Sequence, residues 1–311
     1  MHVNETETLL KANARTARLR AAFVRRYPTV WNGMIRSWTR PQEASACRMW
    51  LMYAANYLLA TGGVRWAVDP LLPGALLPEL RCAGSARALH RLSFLLLTHD
   101  HTDHADYGLL ARLRDSDVRF VVPEAMLELV AEQDGVRDSQ IIVARPGRRI
   151  EIDGIEALPF EGLHWRTHPD GQHAGIDATG YLVKVGGKRW LFPGDVRDYD
   201  AEAASSLAPV DLLFSHLWLG KGCAIDETPP EVDRFCDFIL ATGASDVILT
   251  HLREFSRPPR ELWRVRHARL VRARCNSLDP GTRIHFPRIG QAFDLDPAAL
   301  SEPPERATRQ G

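Results

Sequence analysis

The sequence predicts a single α/β domain that contains two β-sheets. Three short apolar segments, 92–98, 211–216 and 246–251, end in a histidine or directly before one, as buried strands do when they lead into a functional loop. Glycine pairs at 62–63 and 186–187 lie between alternating segments and predict tight hairpins. Such frequent hairpins argue against an all-parallel doubly wound sheet, because parallel strands need long crossovers.

The N-terminal elements are predicted to be a helix followed by a hairpin. Residues 5–27 mix Leu, Ala and Arg without Gly or Pro, which favours a helix with an arginine-rich, solvated face. We expect Pro28 to end this helix and residues 29–46 to form a loop-rich lead-in. Residues 49–60 and 64–70 then form two strands joined by a tight turn.

The rest of the chain alternates strands with helices. Helical spacing is found at 105–115, 124–134, 230–242 and 260–275. Apolar or alternating segments predict strands at 92–98, 118–123, 141–144, 148–152, 155–160, 179–185, 188–192, 211–216 and 246–251, and a terminal strand pair within 282–295.

Three regions are expected along the chain. Residues 1–46 form an N-terminal helical extension, residues 47–296 form the main domain, and residues 297–311 form a polar tail. The sequence contains no internal repeat and no linker that would divide the main domain. It leaves open whether the extension packs on its own domain or on a second copy of the chain in a homo-oligomer.

The composition excludes several classes of protein. The 39 Lys and Arg residues balance 39 Asp and Glu residues, which weighs against a nucleic-acid partner. The longest apolar runs are far shorter than the roughly 18–20 residues that a transmembrane helix needs. The charged N-terminus lacks the apolar region of a secretory signal, so we expect a cytoplasmic protein. Five scattered cysteines without a CxxC pair argue against a disulfide framework and a thiolate zinc site.

One loop concentrates potential metal ligands. His99, His101, Asp103 and His104 form an H-x-H-x-D-H cluster directly after the apolar segment 92–98. Four such side chains can reach one metal centre only if the backbone curls, as it does in a loop between a strand and a helix. Neutral imidazoles with a carboxylate suit Zn²⁺, and also Mn²⁺ or Fe.

Further candidate ligands lie where other predicted strands end. Gly194 permits a tight turn before an aspartate, two apolar strands close with a histidine, and two more histidines follow segment 155–160. These candidates are Asp195, His216, His251, His164 and His173.

The order of these motifs resembles the metallo-β-lactamase fold superfamily. The H-x-H-x-D-H loop, a later histidine, the Gly-Asp turn and a late Thr-His strand end occur in the family's order over residues 47–296. The motif style is most similar to the branch of ascorbate-phosphate lactonases and N-acylphosphatidylethanolamine phospholipase D. The resemblance implies a four-layer αββα sandwich with two metal ions at one edge.

The resemblance also implies a role for each candidate. His99 and His101 are expected to bind the first metal ion, and Asp195 is expected to bridge the two ions. The second ion is expected to bind Asp103, His104 and His251.

The third ligand of the first ion has two candidates. His164 is followed by Trp-Arg, as in the phospholipase D branch, whereas His173 precedes Ala-Gly, as in the glyoxalase II and lactonase branches. The resemblance also implies that Asp69 stands where the ascorbate-phosphate lactonase and phospholipase D branches place a carboxylate that holds a metal-ligating histidine. A simple Asp-Pro turn is the alternative for Asp69.

The activity that this site implies is hydrolysis. A hydroxide shared by two divalent metal ions, Zn²⁺ first and Mn²⁺ or Fe otherwise, would attack an ester, lactone or phosphodiester of a small molecule. Asp103 would orient this hydroxide as the catalytic residue. His216 and Lys221 lie on a segment that could contact substrate or support the site. A nuclease of the same superfamily and a mononuclear iron dioxygenase are the alternative functions.

Overall fold

The computed structural model describes residues 5–43, 45–80, 85–133, 135–164 and 175–296. The strands in this part of the chain are β1 (Cys47–Leu51), β2 (Tyr57–Thr61), β3 (Val64–Val68), β4 (Phe94–Leu96), β5 (Arg119–Pro123), β6 (Ile141–Ala144), β7 (Ile150–Ile152), β8 (Ile155–Glu161), β9 (Thr179–Val185), β10 (Lys188–Phe192), β11 (Leu212–His216), β12 (Asp246–Thr250), β13 (Arg283–His285) and β14 (Ala292–Asp294). The α-helices are α1 (Glu5–Thr39), α2 (Pro73–Leu76), α3 (Ser85–Leu89), α4 (Tyr107–Arg112), α5 (Leu127–Ala131), α6 (Ala201–Ser206), α7 (Val232–Ala241) and α8 (Val265–Leu278). Short 3-10 helices lie at Pro78–Leu80, Glu124–Met126 and Asp138–Gln140.

The strands form two mixed sheets of seven strands each. The first sheet has the order β14-β1-β2-β3-β4-β5-β6, and the second has the order β13-β12-β11-β10-β9-β8-β7. Hairpins supply the antiparallel pairs, and helical crossovers connect parallel strands such as β11 and β12. Each sheet thus combines the two kinds of connection, in agreement with the prediction of two sheets and frequent hairpins.

Alternation along the strands explains why the sheets pack face to face. In β2, Tyr57 and Leu59 lie in the core between the sheets, whereas Leu58 lies in the core beneath the helices of the first sheet. Trp66 of the first sheet stacks on Trp190 of the second, with 6.4 Å between the ring centroids. Both faces of these strands are therefore buried.

Helices cover the outer face of each sheet and complete four layers. Leu109 of α4 and Trp31 of α1 belong to the core on the first sheet, and Phe235 of α7 and Val271 of α8 belong to the core on the second. The predicted αββα sandwich is therefore confirmed. None of the helices in the described residues combines the length and apolar character that crossing a membrane requires.

The prediction that Pro28 ends the first helix is wrong. Helix α1 continues through Pro28 to Thr39. A proline inside a helix costs about 3 kcal/mol, but Trp31, Met34 and Trp38 beyond it are buried against the first sheet. Full burial of a large apolar side chain contributes roughly 1.5–3 kcal/mol, so these three contacts together outweigh the proline.

Other element predictions need smaller corrections. The segment 49–60 is two strands, β1 and β2, because the chain turns at 52–56, although the hairpin at Gly62 and Gly63 is present. Segment 124–134 divides into a 3-10 turn and α5, and the helix expected from residue 260 begins at Val265.

The terminal strand pair predicted within 282–295 is also wrong. Strand β13 pairs with β12 in the second sheet, whereas β14 pairs with β1 in the first. The connection between them crosses from one sheet to the other, which a hairpin interpretation of the local pattern could not reveal.

Candidate metal centre

The H-x-H-x-D-H loop leaves the end of β4 and folds back on itself. The backbone N–H groups of His104 and Ala105 both donate to the carbonyl of His101 at 2.8 Å, which closes a tight turn. The N–H of Thr179, at the start of β9, donates to the carbonyl of Thr98 at 2.8 Å and ties this loop to the second sheet. The curled backbone therefore directs the cluster toward one edge of the sandwich.

Two sets of three side chains meet at this edge. His99, His101 and His164 form one set, and their ligand atoms lie within 4.8 Å of one another. A second set with the same spacing consists of Asp103, His104 and His251. The membership of both sets matches the two ligand groups that the resemblance implied, with His164 as the third member of the first.

Asp195 lies between the two sets. Its carboxylate forms a further group with His99 and His104, one histidine from each set. Oδ1 of Asp195 is 3.4 Å from Nε2 of His104 and 3.7 Å from Nε2 of His251. Gly194 precedes it with a φ of 70°, a left-handed conformation that favours glycine, and a Cβ there would lie 3.3 Å from Thr98.

The buried Asp69 holds His104 and the start of the loop. Its Oδ2 accepts from Nδ1 of His104 at 2.8 Å and from the Thr98 hydroxyl at 2.6 Å, and its Oδ1 accepts from the Thr98 N–H at 2.8 Å. The hydroxyl of Thr98 is also 2.9 Å from Nδ1 of His99. Asp69 thus contacts His104 directly and His99 through the hydroxyl of Thr98.

His216 is placed against Asp195 and is 4 % exposed. Its Nδ1 is 2.9 Å from Oδ1 of Asp195, and its Nε2 is 3.0 Å from the hydroxyl of Tyr57. A carboxylate only accepts, so Nδ1–H donates to Asp195, Tyr57 donates to Nε2, and Thr250 donates to Tyr57. His216 is therefore held between Asp195 and Tyr57.

Two charged side chains beside His251 complete the edge. The guanidinium of Arg257 donates to Oδ2 of Asp103 at 2.6 Å and also donates to Glu254. Glu254 is 3 % exposed, and its Oε2 is 3.6 Å from Nε2 of His251. Arg257 thus links Asp103 to a second buried carboxylate.

Backbone conformation at this edge is unusual in two places. Asp69 has a φ of 46° and His251 a φ of 63°, both in the left-handed region that side chains other than glycine rarely adopt. The N–H of His251 donates to the carbonyl of Ala54 at 2.7 Å, which holds this conformation across the two sheets. Such conformations concentrate at functional sites, where the surrounding structure compensates for the strain.

The residues present fit divalent metal ions. Nε2 of His104, of His164 and of His251 are buried and have no hydrogen-bond partner in the described part of the chain. Unpartnered buried polar atoms are rare in folded proteins because each costs free energy, and these three belong to the two sets of potential ligands described above. The buried carboxylates of Asp103 and Asp195, each paired with one arginine, add oxygen atoms of the kind that divalent metal ions bind.

Burial and neighbouring charges set the protonation states of the candidate ligands. Burial lowers the pKa of His164 and of His251 to about 4, so both imidazoles are neutral at pH 7 and free to ligate. Burial, and then the charge of His104, hold the pKa of His99 well below its usual value. The pKa of His104 rises well above its usual value although burial opposes this, because Asp195 and Asp103 stabilise the imidazolium. A proton on His104 would thus have to leave before Nε2 binds a metal ion.

Burial affects the carboxyl groups of Asp195 and Glu254 differently, because their charged neighbours differ. Burial alone would raise the pKa of Asp195, but Arg197, His251 and His104 hold it well below its usual range. Burial and the nearby Asp103 raise the pKa of Glu254 to about 7, since Arg257 only partly offsets them.

Two other predicted positions do not contribute to the geometry described above. His173, with residues 165–174, lies outside the described residues. Lys221 is exposed in a turn after β11, and within the described ranges no hydrogen bond or ion pair joins it to the metal-centre residues.

Sequence reasoning missed four residues that support the centre. Arg197 is two positions after Asp195 and Glu254 three after His251, so proximity in sequence was a usable signal for both. Tyr57 and Arg257 carry no such signal. Tyr57 contacts His216 across 159 positions of the chain, and Arg257 contacts Asp103 across 154 positions.

The chain is similar to proteins of known families. The model of the "Beta-lactamase superfamily domain" matches residues 66–252, more than half of the chain. A metal-dependent hydrolase from Saccharolobus solfataricus is 30 % identical over 144 residues, which are 46 % of this chain and 61 % of that protein. A probable L-ascorbate-6-phosphate lactonase from Salmonella paratyphi B is 30 % identical over 124 residues, 35 % of this chain and 34 % of that protein. The match thus spans less than two thirds of either relative.

Solved structures show the same fold at low sequence identity. A metallo hydrolase from Ignicoccus hospitalis superposes with a TM-score of 0.59 and 15 % identity, over 81 % of this chain and 99 % of that one. A diiron β-hydroxylase from Streptomyces venezuelae superposes with a TM-score of 0.56 and 18 % identity, over 82 % of this chain and 55 % of that one. On the family match and this common fold, the chain belongs to the β-lactamase superfamily and has the metallo-β-lactamase fold.

Proposed function

We propose that this chain is a metal-dependent hydrolase that holds two divalent metal ions. The observation that carries the proposal is a set of three buried Nε2 atoms without a hydrogen-bond partner, those of His104, His164 and His251. They belong to two groups of potential ligands, and a third group, formed by Asp195 with His99 and His104, joins these two. His99, His101 and His164 would hold one ion, Asp103, His104 and His251 the other, and Asp195 would contact both. Zn²⁺ is the first candidate because it favours imidazole and carboxylate ligands, and Mn²⁺ and Fe share this ligand set.

The metal ions would supply the nucleophile and polarise the substrate. Two bound divalent ions lower the pKa of water toward neutrality and stabilise negative charge on a carbonyl or phosphoryl oxygen. Asp103 would orient the water and accept its proton, because its carboxylate stays ionised. Burial raises its pKa, but His104 and His251 lower it well below the usual range. We expect the substrate to be a small ester, lactone or phosphodiester.

The supporting residues give the ligands their orientation. His216 donates to Oδ1 of Asp195, and Asp69 accepts from Nδ1 of His104, so each of these two proposed ligands is held by a neighbouring side chain. Arg197 also donates to Asp195 and neutralises part of its charge. These contacts keep the ligand geometry ready before metal or substrate binds.

Metal content and hydrolysis of a substrate panel test the proposal. Protein purified without added metal, then loaded with Zn²⁺ or Mn²⁺, should bind two ions per chain and hydrolyse at least one phosphodiester, lactone or ester. Asp195→Ala should lose bound metal and about 100-fold or more of this rate. Asp198→Ala removes an exposed carboxylate three positions away and should leave both unchanged. One iron per chain with oxygen consumption would contradict hydrolysis and favour a dioxygenase.

The third ligand of the first ion is tested by a pair of variants. We expect His164→Ala to reduce the stoichiometry from two ions to about one, because it removes one of three ligands. His173→Ala should keep two ions. The reverse result, with loss only in His173→Ala, would assign the ligand to His173.

A further inference from the structure

A groove separate from the metal centre runs between α1 and the start of α8. Its volume is about 840 Å³, within the range of roughly 300–1,000 Å³ that is usual for small-molecule sites. One face of α1 forms a wall, and Arg15, Leu19, Phe23 and Arg26 lie on this face at helical spacing. The opposite wall is formed by the segment after β12, the first turns of α8 and the connection from β13 to β14.

The rim of this groove is strongly positive. Seven arginines line it, and no Asp or Glu lines it among the described residues. Besides Arg15 and Arg26, the arginines come from the second wall, with Arg253 and Arg288 as examples. Nowhere in the described ranges do Arg15, Arg26, Arg253 or Arg288 form an ion pair with a carboxylate. In a chain with zero net charge, this is a local excess of positive charge.

The arginines are close enough to repel one another. Arg253 and Arg288 line the same wall of the groove. The pKa of Arg264 is lowered by desolvation and then by Arg15 and Arg266. Arg253 also has a φ of 61°, in the left-handed region. A bound anion would relieve this repulsion, and guanidinium groups can bind phosphate oxygens through two hydrogen bonds.

The floor of the groove is apolar. Phe23 and Val30 of α1 face Phe255 and Ile289, and Leu19 at the rim is 40 % exposed. A free inorganic anion would make no use of these side chains. A nucleic-acid backbone would need an extended basic path, whereas this charge is confined to one bounded cavity.

We propose that this groove binds a small, soluble amphiphilic anion, an apolar chain or ring that carries a phosphate group. The apolar part would cover Phe23, Val30 and Phe255, and the phosphate would contact the arginines of the rim. The segment after β12 carries His251, Glu254 and Arg257 toward the metal centre and Arg253 and Phe255 toward the groove. The site is thus distinct from the metal centre, although the two share one segment of chain.

Calorimetric titration with octyl phosphate tests the site. The protein should bind octyl phosphate at least tenfold tighter than inorganic phosphate or the uncharged octyl glucoside, and binding should weaken as salt is added. The double variant Arg15→Gln/Arg269→Gln should lose at least tenfold in affinity. The control Arg18→Gln/Arg25→Gln removes the same charge from exposed positions outside the groove and should change affinity less than twofold.

Further variants and probes distinguish this groove from the metal centre and from a macromolecular partner. His101→Ala should bind octyl phosphate like the unmodified protein, and loss of binding there would place the phosphate at the metal centre and overturn the proposal. If Arg15→Gln/Arg269→Gln unfolds the protein, a second double variant, Arg26→Gln/Arg288→Gln, takes its place and should show the same loss of affinity for octyl phosphate. If both groove variants bind octyl phosphate as tightly as the unmodified protein does, the proposal is overturned. Tighter binding to a 20-nucleotide RNA, or binding only to phosphatidic acid vesicles, would replace it with a nucleic-acid or membrane partner.

Discussion

A single imidazole, that of His104, contacts or approaches three carboxylates. Asp69 accepts from its Nδ1, while Asp103 and Asp195 lie 3.7 Å and 3.4 Å from its Nε2. In the absence of a metal ion, a proton on Nε2 balances part of this charge. Under the proposed function a metal ion takes the position of that proton, so metal affinity should fall as the solution becomes more acidic.

Asp69→Asn tests how much the orientation of His104 contributes. The amide can present its NH₂ group where the carboxylate accepted, so the imidazole loses its fixed tautomer. We expect the affinity for one of the two metal ions to fall about 10- to 100-fold, measured by competition with a coloured chelator. Asp100→Asn, at an exposed position in the same loop, is the control and should keep both affinities. Equal affinities in the two variants would contradict the role of Asp69.

At the residue scale, the sequence predicted what lies close along the chain. His99, His101, Asp103 and His104 are within six positions, and the Gly-Asp turn at Asp195 is a local signal. The same reasoning could not find Tyr57, which reaches Thr250 from 193 positions away. Tertiary packing determines which residues contact a proposed ligand, and such long-range contacts leave no local pattern in a single sequence.

Individual elements show the same division between local and long-range causes. The sequence predicts that helix α1 ends at Pro28, because proline disfavours the interior of a helix. The helix continues beyond it because later residues make buried contacts, such as the hydrogen bond from the Trp38 ring to the carbonyl of Leu59. Strands β13 and β14 were recognised by composition, but their partners lie in different sheets. Local pattern therefore identified most elements, and their ends and partners depended on the rest of the molecule.

The start of α8 contains a buried histidine that should make stability depend on pH. His267 is 2 % exposed, and its Nδ1 accepts from the N–H of Arg264 at 3.0 Å. Burial, and then the charges of Arg266 and Arg264, lower its pKa from 6.5 to about 4. Between these values the unfolded chain binds a proton that the folded chain does not, so stability falls as the pH falls from about 6.5 to about 4.

His267→Gln should remove this pH dependence while keeping a side-chain acceptor. At 1.36 kcal/mol per pKa unit, the loss on acidification attributable to His267 is at most about 3 kcal/mol. Urea unfolding at pH 7 and pH 5, with saturating metal so that the metal-centre histidines do not titrate, should show a smaller decrease for the variant than for the unmodified protein. His90→Gln, at an exposed position, serves as the control. The same decrease in all three proteins would contradict the prediction.

At the scale of the whole molecule, the proposed ligands come from both sheets. His99, Asp103 and His104 follow β4 of the first sheet, whereas Asp195 follows β10 and His251 follows β12 of the second. A metal ion bound here would link the two halves of the sandwich. It binds the folded state and finds no assembled site in the unfolded chain, so it should stabilise the fold.

Metal removal should therefore lower the thermal midpoint of unfolding. At a free metal concentration of 100 times Kd, one site contributes about 2.7 kcal/mol, and chelation should cost several degrees in the midpoint. Differential scanning calorimetry with and without EDTA measures this. The midpoint of Asp195→Ala should respond much less to EDTA. If the unmodified protein showed no response either, the proposed ions would not be bound to the folded state.

The separation of the ligands along the chain has a consequence for biosynthesis. Asp69 is translated well before His251. A nascent chain that ends before β12 can present the H-x-H-x-D-H loop but lacks the last proposed ligand of the second ion. Under the proposed function, full metal loading is thus confined to chains in which translation has passed β12.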